Sequence, residues 1–335
     1  MGWYRAVGRP LFFSLPPEAA HRVAVRLLDL PLPWSRIGGV PDGVRVETTL
    51  GGIRLHNPIG LAAGFDKSCS HLRTLGELGF GYVVGGTITR EPRVGNAKPR
   101  IARHATSRSL VNAMGLPNPG AEAAARNLAK APVTSAPRFV SLADEALDDA
   151  VAALDLVAPL VDGIELNASC PNVSWGRDRD NETHLQGLVS AFVARTPRPV
   201  VVKLPPFASE TERDVVLSLA RIALDAGAAG LTCSNTMSVS DLRLAAGTGG
   251  LSGHGLWPMT PSIVSEVRAA VGGDVPVNAC GGVFTTADAL ACIEAGATTV
   301  QIYTGLIYEG PGIVGRLVSG LAEAWTPASS MLPPA

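Results

Sequence analysis

Two lysines and one cysteine have the chemistry to act in a reaction. Lysine is scarce in this 335-residue chain: Lys67, Lys98, Lys130 and Lys203 stand against 24 arginines. Where arginine serves most surface needs, a retained lysine points to a specific task. Lys203 lies within the apolar run Val200-Val201-Val202-Lys203-Leu204, which argues against a solvated surface charge. Lys67 follows a run rich in glycine and alanine. An ammonium held beside a reacting group stabilises an anion that develops there. Cys170 sits in Asn167-Ala168-Ser169-Cys170-Pro171-Asn172. A thiol ordinarily ionises near about 8.5, so it serves as a general base near neutrality when a neighbour helps it ionise. Asn167 and Asn172 each offer a donor and an acceptor, a pair suited to gripping a planar amide. Burial as a structural residue is the commoner fate of cysteine, and is the reading adopted for Cys69, Cys233, Cys280 and Cys292.

Bulk properties exclude several classes. The net charge of -1 gives no electrostatic footprint for nucleic acid. Five cysteines without a C-x-x-C pair argue for a reducing compartment, and against a disulfide framework, a zinc site or a self-contained iron–sulfur cluster. No run of about 18 apolar residues predicts a transmembrane helix, and no signal peptide is evident.

The elements that must position these residues alternate along the chain. Short apolar runs occur at 59–63, 82–85, 139–142, 163–168, 200–204, 230–234, 275–280 and 298–303. Helical patterns follow at 69–78, 121–130, 144–158, 183–194, 209–226, 262–271, 285–295 and 312–325. Strands buried on both faces read as continuous apolar runs. The alternation predicts an α/β fold, a (β/α)₈ TIM barrel. An open doubly wound sheet is the runner-up, but Gly60-Leu61-Ala62-Ala63-Gly64 does not fit its glycine fingerprint.

Polar residues gather just past the C-terminal ends of the predicted strands, the rim where barrels build their sites. They are Lys67, Thr87, Asn167, Cys170, Asn172, Lys203, Asn235, Thr236, Tyr303 and Thr304. Gly281-Gly282 and Thr304-Gly305 precede helices, where backbone N–H groups can approach an anion. That arrangement implies a phosphate-bearing ligand, flavin mononucleotide among the candidates; ordinary strand-to-helix turns are the alternative.

Residues 1–45 differ in character. Helix 17–29 places Ala20, Val23, Ala24, Leu27 and Leu28 on one face, and five arginines through residue 40 oppose Glu18 and Asp29. Such a segment can lie in a membrane interface; on pattern alone, packing against the barrel is favoured. Gly8 and Pro10 predict a weakened first helix.

Long stretches now resemble the dihydroorotate dehydrogenase family: NPIGLAAGFDK (57–67), LGFGYVVGGTITREPRVGNAKPR (78–100), LVNAMGLPN (110–118), ELNASCPNV (165–173), VKLPP (202–206), SNT (234–236), GGLSG (249–253), ACGGV (279–283) and VQIYTGLIYEGP (300–311). LPPEAAHRVAVRLL (15–28) is similar to the N-terminal extension of the quinone-linked, membrane-associated class. The resemblance covers nearly the whole chain. It implies an N-terminal helical segment at 1–45, an FMN-binding barrel at 46–325 and a disordered tail at 326–335. It implies FMN contacts from Ala62, Ala63, Lys67, Thr87, Ser141, Asn167, Lys203, Ser234, Gly253, Gly282, Tyr303 and Thr304. Dihydroorotate would be held by Lys67, Asn112, Asn167, Asn172, Asn235 and Thr236. Cys170 would take the C5 proton while hydride passes from C6 to the flavin. His21, Arg103 and Tyr303 match positions lining a quinone tunnel. The implied protein is a monomer or homodimer in the cytoplasm, peripherally attached to the inner face of the cell membrane, with no metal and no nucleic acid.

The chain departs from the quinone-linked pattern at several places. Cys170 and Val173 stand where serine and threonine are usual, as in the cytosolic classes. Ser141 replaces an asparagine, Leu116 replaces an aromatic, and the loop 174–181 is unusually charged. A paralogous flavin enzyme acting on a related cyclic amide is therefore the alternative function, and a non-catalytic flavin-binding protein a remote one. The base assignment makes a direct prediction. Cys170→Ser retains flavin and moves the pH–rate profile to higher pH, because serine needs more help to ionise. Cys170→Ala binds FMN normally and loses most flavin reduction in stopped-flow assays; reduction at the parental rate would refute the assignment.

Overall fold

Eight of the strands close into a parallel barrel. A computed structural model describes residues 2–131, 134, 136–168 and 180–324. Numbered along the chain, the barrel strands are β3 (Ile59–Leu61), β4 (Tyr82–Ile88), β7 (Arg138–Leu142), β8 (Gly163–Asn167), β9 (Val200–Leu204), β10 (Gly230–Cys233), β13 (Val277–Cys280) and β14 (Thr299–Ile302). β14 pairs with β3 and β10 with β13, so the sheet has no edge. All eight strands fall within the predicted runs or extend them by a few residues. The outer ring consists of α4 (Leu72–Glu77), α5 (Ala121–Lys130), α6 (Leu147–Val157), α7 (Asp180–Arg195), α8 (Glu210–Asp225), α9 (Thr260–Val271), α10 (Thr286–Glu294) and α12 (Ile313–Ala324). Capping boxes, Ser209 with Glu212 and Thr285 with Asp288, start α8 and α10.

Alternation along the strands divides the side chains between two environments. Ile59, Leu61, Val83, Val140, Ile164, Val202, Leu231, Val300 and their neighbours pack outward, in one cluster with the helices. The inward side is apolar at one level only: Tyr82, Val84, Phe139 and Val201 pack with Leu50 and Leu55. The last two come from a hairpin, β1 (Thr48–Leu50) with β2 (Ile53–Leu55), whose apolar side chains close the N-terminal mouth. Above this plug the inward positions become polar.

Two excursions leave the barrel at its C-terminal rim. They supply β5 (Ile101–His104) and β6 (Ser109–Asn112), and β11 (Met237–Ser240) and β12 (Thr248–Gly253). The four join as one antiparallel sheet, β11-β12-β6-β5. The alternating pattern of the barrel gave no sign of this sheet. A short helix, α11 (Thr304–Glu309), also lies between β14 and α12.

The N-terminal segment is helical from its start, with an irregular turn beside Gly8 and Pro10, the residues expected to weaken it. A π-helical turn, Tyr4–Gly8, runs into α1 (Arg9–Ser14), followed by α2 (Pro17–Leu28) and α3 (Trp34–Gly38). Pro10 follows the π-helical turn, which continues without a break into α1. Gly8 is required by packing, since a Cβ there would lie 2.8 Å from the Tyr4 ring. Tyr4 Oη donates to the Ile307 carbonyl at 2.7 Å, and the buried Glu309 carboxylate pairs with Arg5 and Arg316. Ala20 and Leu28 of α2 are buried, whereas Val23 and Leu27 keep about 40% of their surface exposed. Among the described residues no helix is long and apolar enough to cross a membrane.

The filled interior makes one glycine indispensable. A Cβ at Gly60 would lie 2.4 Å from the Tyr82 ring. Gly60→Ala is expected to cost about 1–3 kcal/mol by overpacking and to lower the thermal midpoint. Gly187→Ala, on the exposed face of α7 with open space at its Cβ, is expected to raise the midpoint slightly.

Candidate active site

The polar upper level of the barrel opens into a cavity of about 230 Å³ at the C-terminal rim. Ala62, Ala63, Gly64 and Lys67 follow β3; Thr87 comes from β4, Asn167 from β8 and Lys203 from β9. Asn235 and Thr236 follow β10, Cys280 to Gly282 end β13, and Gln301 to Gly305 end β14. The four-stranded sheet and the loop beyond β6 supply the facing wall, with Ile101, Leu110, Asn112, Met114, Leu116 and Gly253. Every barrel strand except β7 delivers a residue at or just past its C-terminal end to the same space, so the convergence is a consequence of strand register.

Lys203 is 5% exposed, and among the described residues its ammonium has one hydrogen-bond partner, Cys280 Sγ at 3.9 Å. Burial opposes its charge; Cys280 and Glu165 oppose that effect, and the balance holds its pKa above the usual lysine value. Burial also pushes the Cys280 thiol up, against the pull of Lys203. One inward level below, Glu165 Oε2 accepts from Thr232 Oγ1 at 3.3 Å and from Gln301 Nε2 at 3.2 Å. A further chain of hydrogen bonds joins Asn278 to Thr232, Thr299 to Asn278, and Tyr82 to Thr299.

Thr87 occupies a second polar corner. Its hydroxyl lies 3.0 Å from Ser141 Oγ and accepts from Asn167 Nδ2 at 3.3 Å. Lys67 Nζ donates to the Gly64 carbonyl. Burial pulls its pKa down to about 8, against the restoring pull of Asp66 and Glu18. Gly253, Gly281 and Gly282 all take positive φ, and a Cβ at Gly253 would lie 2.5 Å from the Arg108 carbonyl. Thr304 Oγ1 donates to Ser252 Oγ at 3.0 Å, tying α11 to the facing sheet.

A second cavity, of about 540 Å³, lies beneath α1 and α2. Phe12, Phe13, Ala20, His21, Leu28 and Phe65 contribute to its apolar lining. Lys67, Ile101, Leu110, Met114, Pro117 and Tyr303 line both cavities, so the two share a wall. Tyr303 Oη donates to the Gly64 carbonyl at 3.3 Å, and burial lifts its pKa to about 12. Burial, reinforced by the Lys67 charge, brings His21 down to about 4, which leaves its imidazole neutral near pH 7. Arg103 Nη1 donates to the carbonyls of Phe12, Phe13 and Leu15 at 3.0–3.4 Å, which caps the C-terminal end of α1. Its guanidinium also stacks 4.6 Å from the Phe13 ring centre. Glu18 faces the same space and binds Arg100 Nη2 at 2.8 Å.

Residues 45–325 match the family model described as dihydroorotate dehydrogenase. The chain belongs to that family. It is 39% identical to the dihydroorotate dehydrogenase (quinone) of Anaeromyxobacter sp. (strain Fw109-5), over 93% of this chain and 90% of the relative. The corresponding protein of Acidithiobacillus ferrooxidans is 34% identical over 95% and 94% of the two chains. A crystal structure of DHODH from Eimeria tenella in complex with ferulenol superposes with a TM-score of 0.79 at 28% identity, covering 91% of this chain and 90% of that one.

Within this family fold, most residues expected in the site line the rim cavity: Ala62, Ala63, Lys67, Thr87, Asn112, Asn167, Lys203, Asn235, Thr236, Gly253, Gly282, Tyr303 and Thr304. Ser141 and Ser234 do not. Ser141 is fully buried behind Thr87, and the Ser234 hydroxyl donates to the Asn235 carbonyl at 3.3 Å. His21, Arg103 and Tyr303 all line the second cavity. Cys170, Asn172 and the charged loop from 174 lie outside the described residues, apart from its last two positions, as does the tail at 326–335. Cys280, read as a structural cysteine, instead faces Lys203 in the rim cavity. Its place beside Gly281-Gly282 at the end of a strand was the available signal. Glu165 and Gln301 were also missed, because polar residues inside an apolar run look like ordinary variation until strand pleat turns them inward.

Proposed function

We infer that this chain oxidises dihydroorotate to orotate, a step of de novo pyrimidine biosynthesis, and passes the electrons to a quinone. The shared wall carries this reading: a polar cavity fit for a charged cyclic amide and an apolar cavity fit for a quinone meet at Lys67 and Tyr303. The quinone-linked relatives, matched over 90% and 94% of their own length, support it.

FMN fits the donor set of the rim cavity. Lys203 offers a buried ammonium with one weak partner, and Thr87 and Asn167 offer a hydroxyl and an amide beside it. Ala62, Ala63 and Tyr303 would flank the ring, while Gly253, Gly282 and Thr304 would hold the phosphate end. Ser141 and Ser234 would act by supporting Thr87 and Asn235. Bound FMN supplies a ring that takes up two electrons from the substrate and releases them to a second acceptor. Lys67, Asn112, Asn167, Asn172, Asn235 and Thr236 would grip the carboxylate and amide edges of dihydroorotate. Cys170 would remove the C5 proton as hydride leaves C6. Lys203 would stabilise the negative charge that builds on the acceptor ring.

His21 and Tyr303 would face the quinone, with Arg103 locking the helix that covers it. A neutral imidazole suits an uncharged quinone, since it desolvates at little cost. The exposed Trp3, Val7, Leu11, Leu30 and Leu32 lie on this same segment. With its arginines, they would dock peripherally on the inner face of the cell membrane.

Anaerobic addition of dihydroorotate to the yellow holoprotein tests the reading: flavin absorbance bleaches, and a quinone restores it. A flavin that stays oxidised would sink the substrate assignment. His21→Ala keeps the bleaching rate and raises the KM for quinone about fivefold, the value of roughly one hydrogen bond. Equal losses in both half-reactions would place His21 elsewhere. Orotate is an anion and favours the Lys67 ammonium. Its dissociation constant is therefore flat below about pH 8 and rises toward about tenfold per pH unit above it. Lys67→Arg removes that rise, and a persisting rise would assign it to another group.

A further inference from the structure

Glu165 and Lys203 are the charged residues among the inward-facing positions of the eight barrel strands. Both are buried, at 1% and 5% exposure. Strand register stacks them: Asn167 pairs with Lys203 and Glu165 with Val201, so the carboxylate stands one inward level below the ammonium. Thr232 links the levels, pairing with Lys203 in the sheet while its hydroxyl donates to Glu165 Oε2. Glu165 Oε1 has no hydrogen-bond partner among the described residues. The partners it does have, Thr232 and Gln301, are neutral. Two neutral hydrogen bonds do not compensate a carboxylate at this depth; a cation does. The other titratable groups facing it are Tyr82 from β4 and Cys280 from β13, whose ionisation burial suppresses.

We propose that Glu165 is the buried counter-charge of Lys203 and sets, through that lysine, how readily a flavin in the rim cavity accepts electrons. The inference rests on the flavin reading above. Glu165 is a positioning residue: it touches neither substrate nor flavin. Its negative charge offsets part of the stabilisation that Lys203 gives to reduced flavin, and so keeps the potential low enough for onward transfer to an acceptor.

The test is the midpoint potential of bound FMN, measured by spectroelectrochemical titration near pH 7 with FMN stoichiometry determined in parallel. Glu165→Gln is close to isosteric and removes the charge. It is expected to favour the reduced flavin by about tenfold, an upward shift of about 30 mV for two electrons. Glu165→Asp, which withdraws the carboxylate by one methylene, shifts in the same direction by less and serves if the first variant does not fold. Thr232→Val removes a hydrogen bond without changing charge and leaves the oxidised-to-reduced equilibrium within about twofold of the parent, a shift of about 9 mV or less. FMN bound at full stoichiometry with an unchanged potential in Glu165→Gln overturns the proposal. So does a shift in Thr232→Val as large as that in Glu165→Gln, which would make the effect one of packing. Absence of flavin from the unmodified protein overturns the flavin reading itself, and the proposal with it.

Discussion

An ammonium buried at the mouth of a closed barrel must be compensated, because the low-dielectric interior disfavours an unpaired charge by several kcal/mol. Lys203 imposes that requirement here. Its neighbours answer in layers: Cys280 beside it, Glu165 below it, and the Thr232–Asn278–Thr299–Tyr82 chain around them. Beneath those groups the interior becomes apolar again at Phe139 and Val201, sealed by Leu50 and Leu55. The upper half of the barrel is therefore a polar cup and the lower half a plug. A ligand that reaches the cup meets fixed donors that need not reorganise when charge develops.

The cup would be open to water without the two added layers. One is the antiparallel sheet from the strand excursions, which brings Asn112 and Gly253 over the rim. The other is the N-terminal helical segment. Leu28, Trp34 and Ile37 pack into the main core and Phe13 packs on Tyr308, and directional polar contacts add to this: Arg103 on the carbonyls ending α1, Glu18 on Arg100, and Glu309 between Arg5 and Arg316. With the segment fixed at these points, other apolar residues of α1 and α2, among them Phe12, Ala24 and Leu27, line the cavity.

The sequence made the barrel legible because doubly buried strands and amphipathic helices each carry their own period. The strands from Ile59 to Ile302 and helices such as Ala121–Lys130 fell where those periods placed them. The four-stranded sheet was not legible, since β5, β11 and β12 are only partly buried and carry no continuous apolar run. The rim rule located Lys67, Thr87, Asn167, Lys203 and Asn235, because a strand end fixes where a side chain emerges. It was applied too narrowly at Cys280, where the residue type outweighed the position. Ser141 and Ser234 came from resemblance, and register sets them behind the cavity wall. Gly8 and Pro10 flag the place where the first helix changes from π to α geometry. Pro10 stands in a first turn, and the Tyr4 ring leaves no room for a side chain at position 8.

Strand β8 shows how one short run constrains several functions. Gly163, Glu165 and Asn167 alternate inward, and each is fixed by a different neighbour. Gly163 leaves room for the Phe139 ring, which a Cβ would approach to 2.2 Å. Asn167 reaches Thr87 and the cavity. The pleat that aims Asn167 at the cavity also forces residue 165 into the interior, so a glutamate there cannot escape to solvent. An apolar residue at 165 would need no partners, yet two donors, Thr232 and Gln301, point at that position and the Lys203 charge stands one level above. Replacing the carboxylate with an apolar group would leave Thr232 and Gln301 without this acceptor and Lys203 without the charge below it. The glutamate and the lysine are therefore one unit of the fold. The ligand cavity lies directly above both.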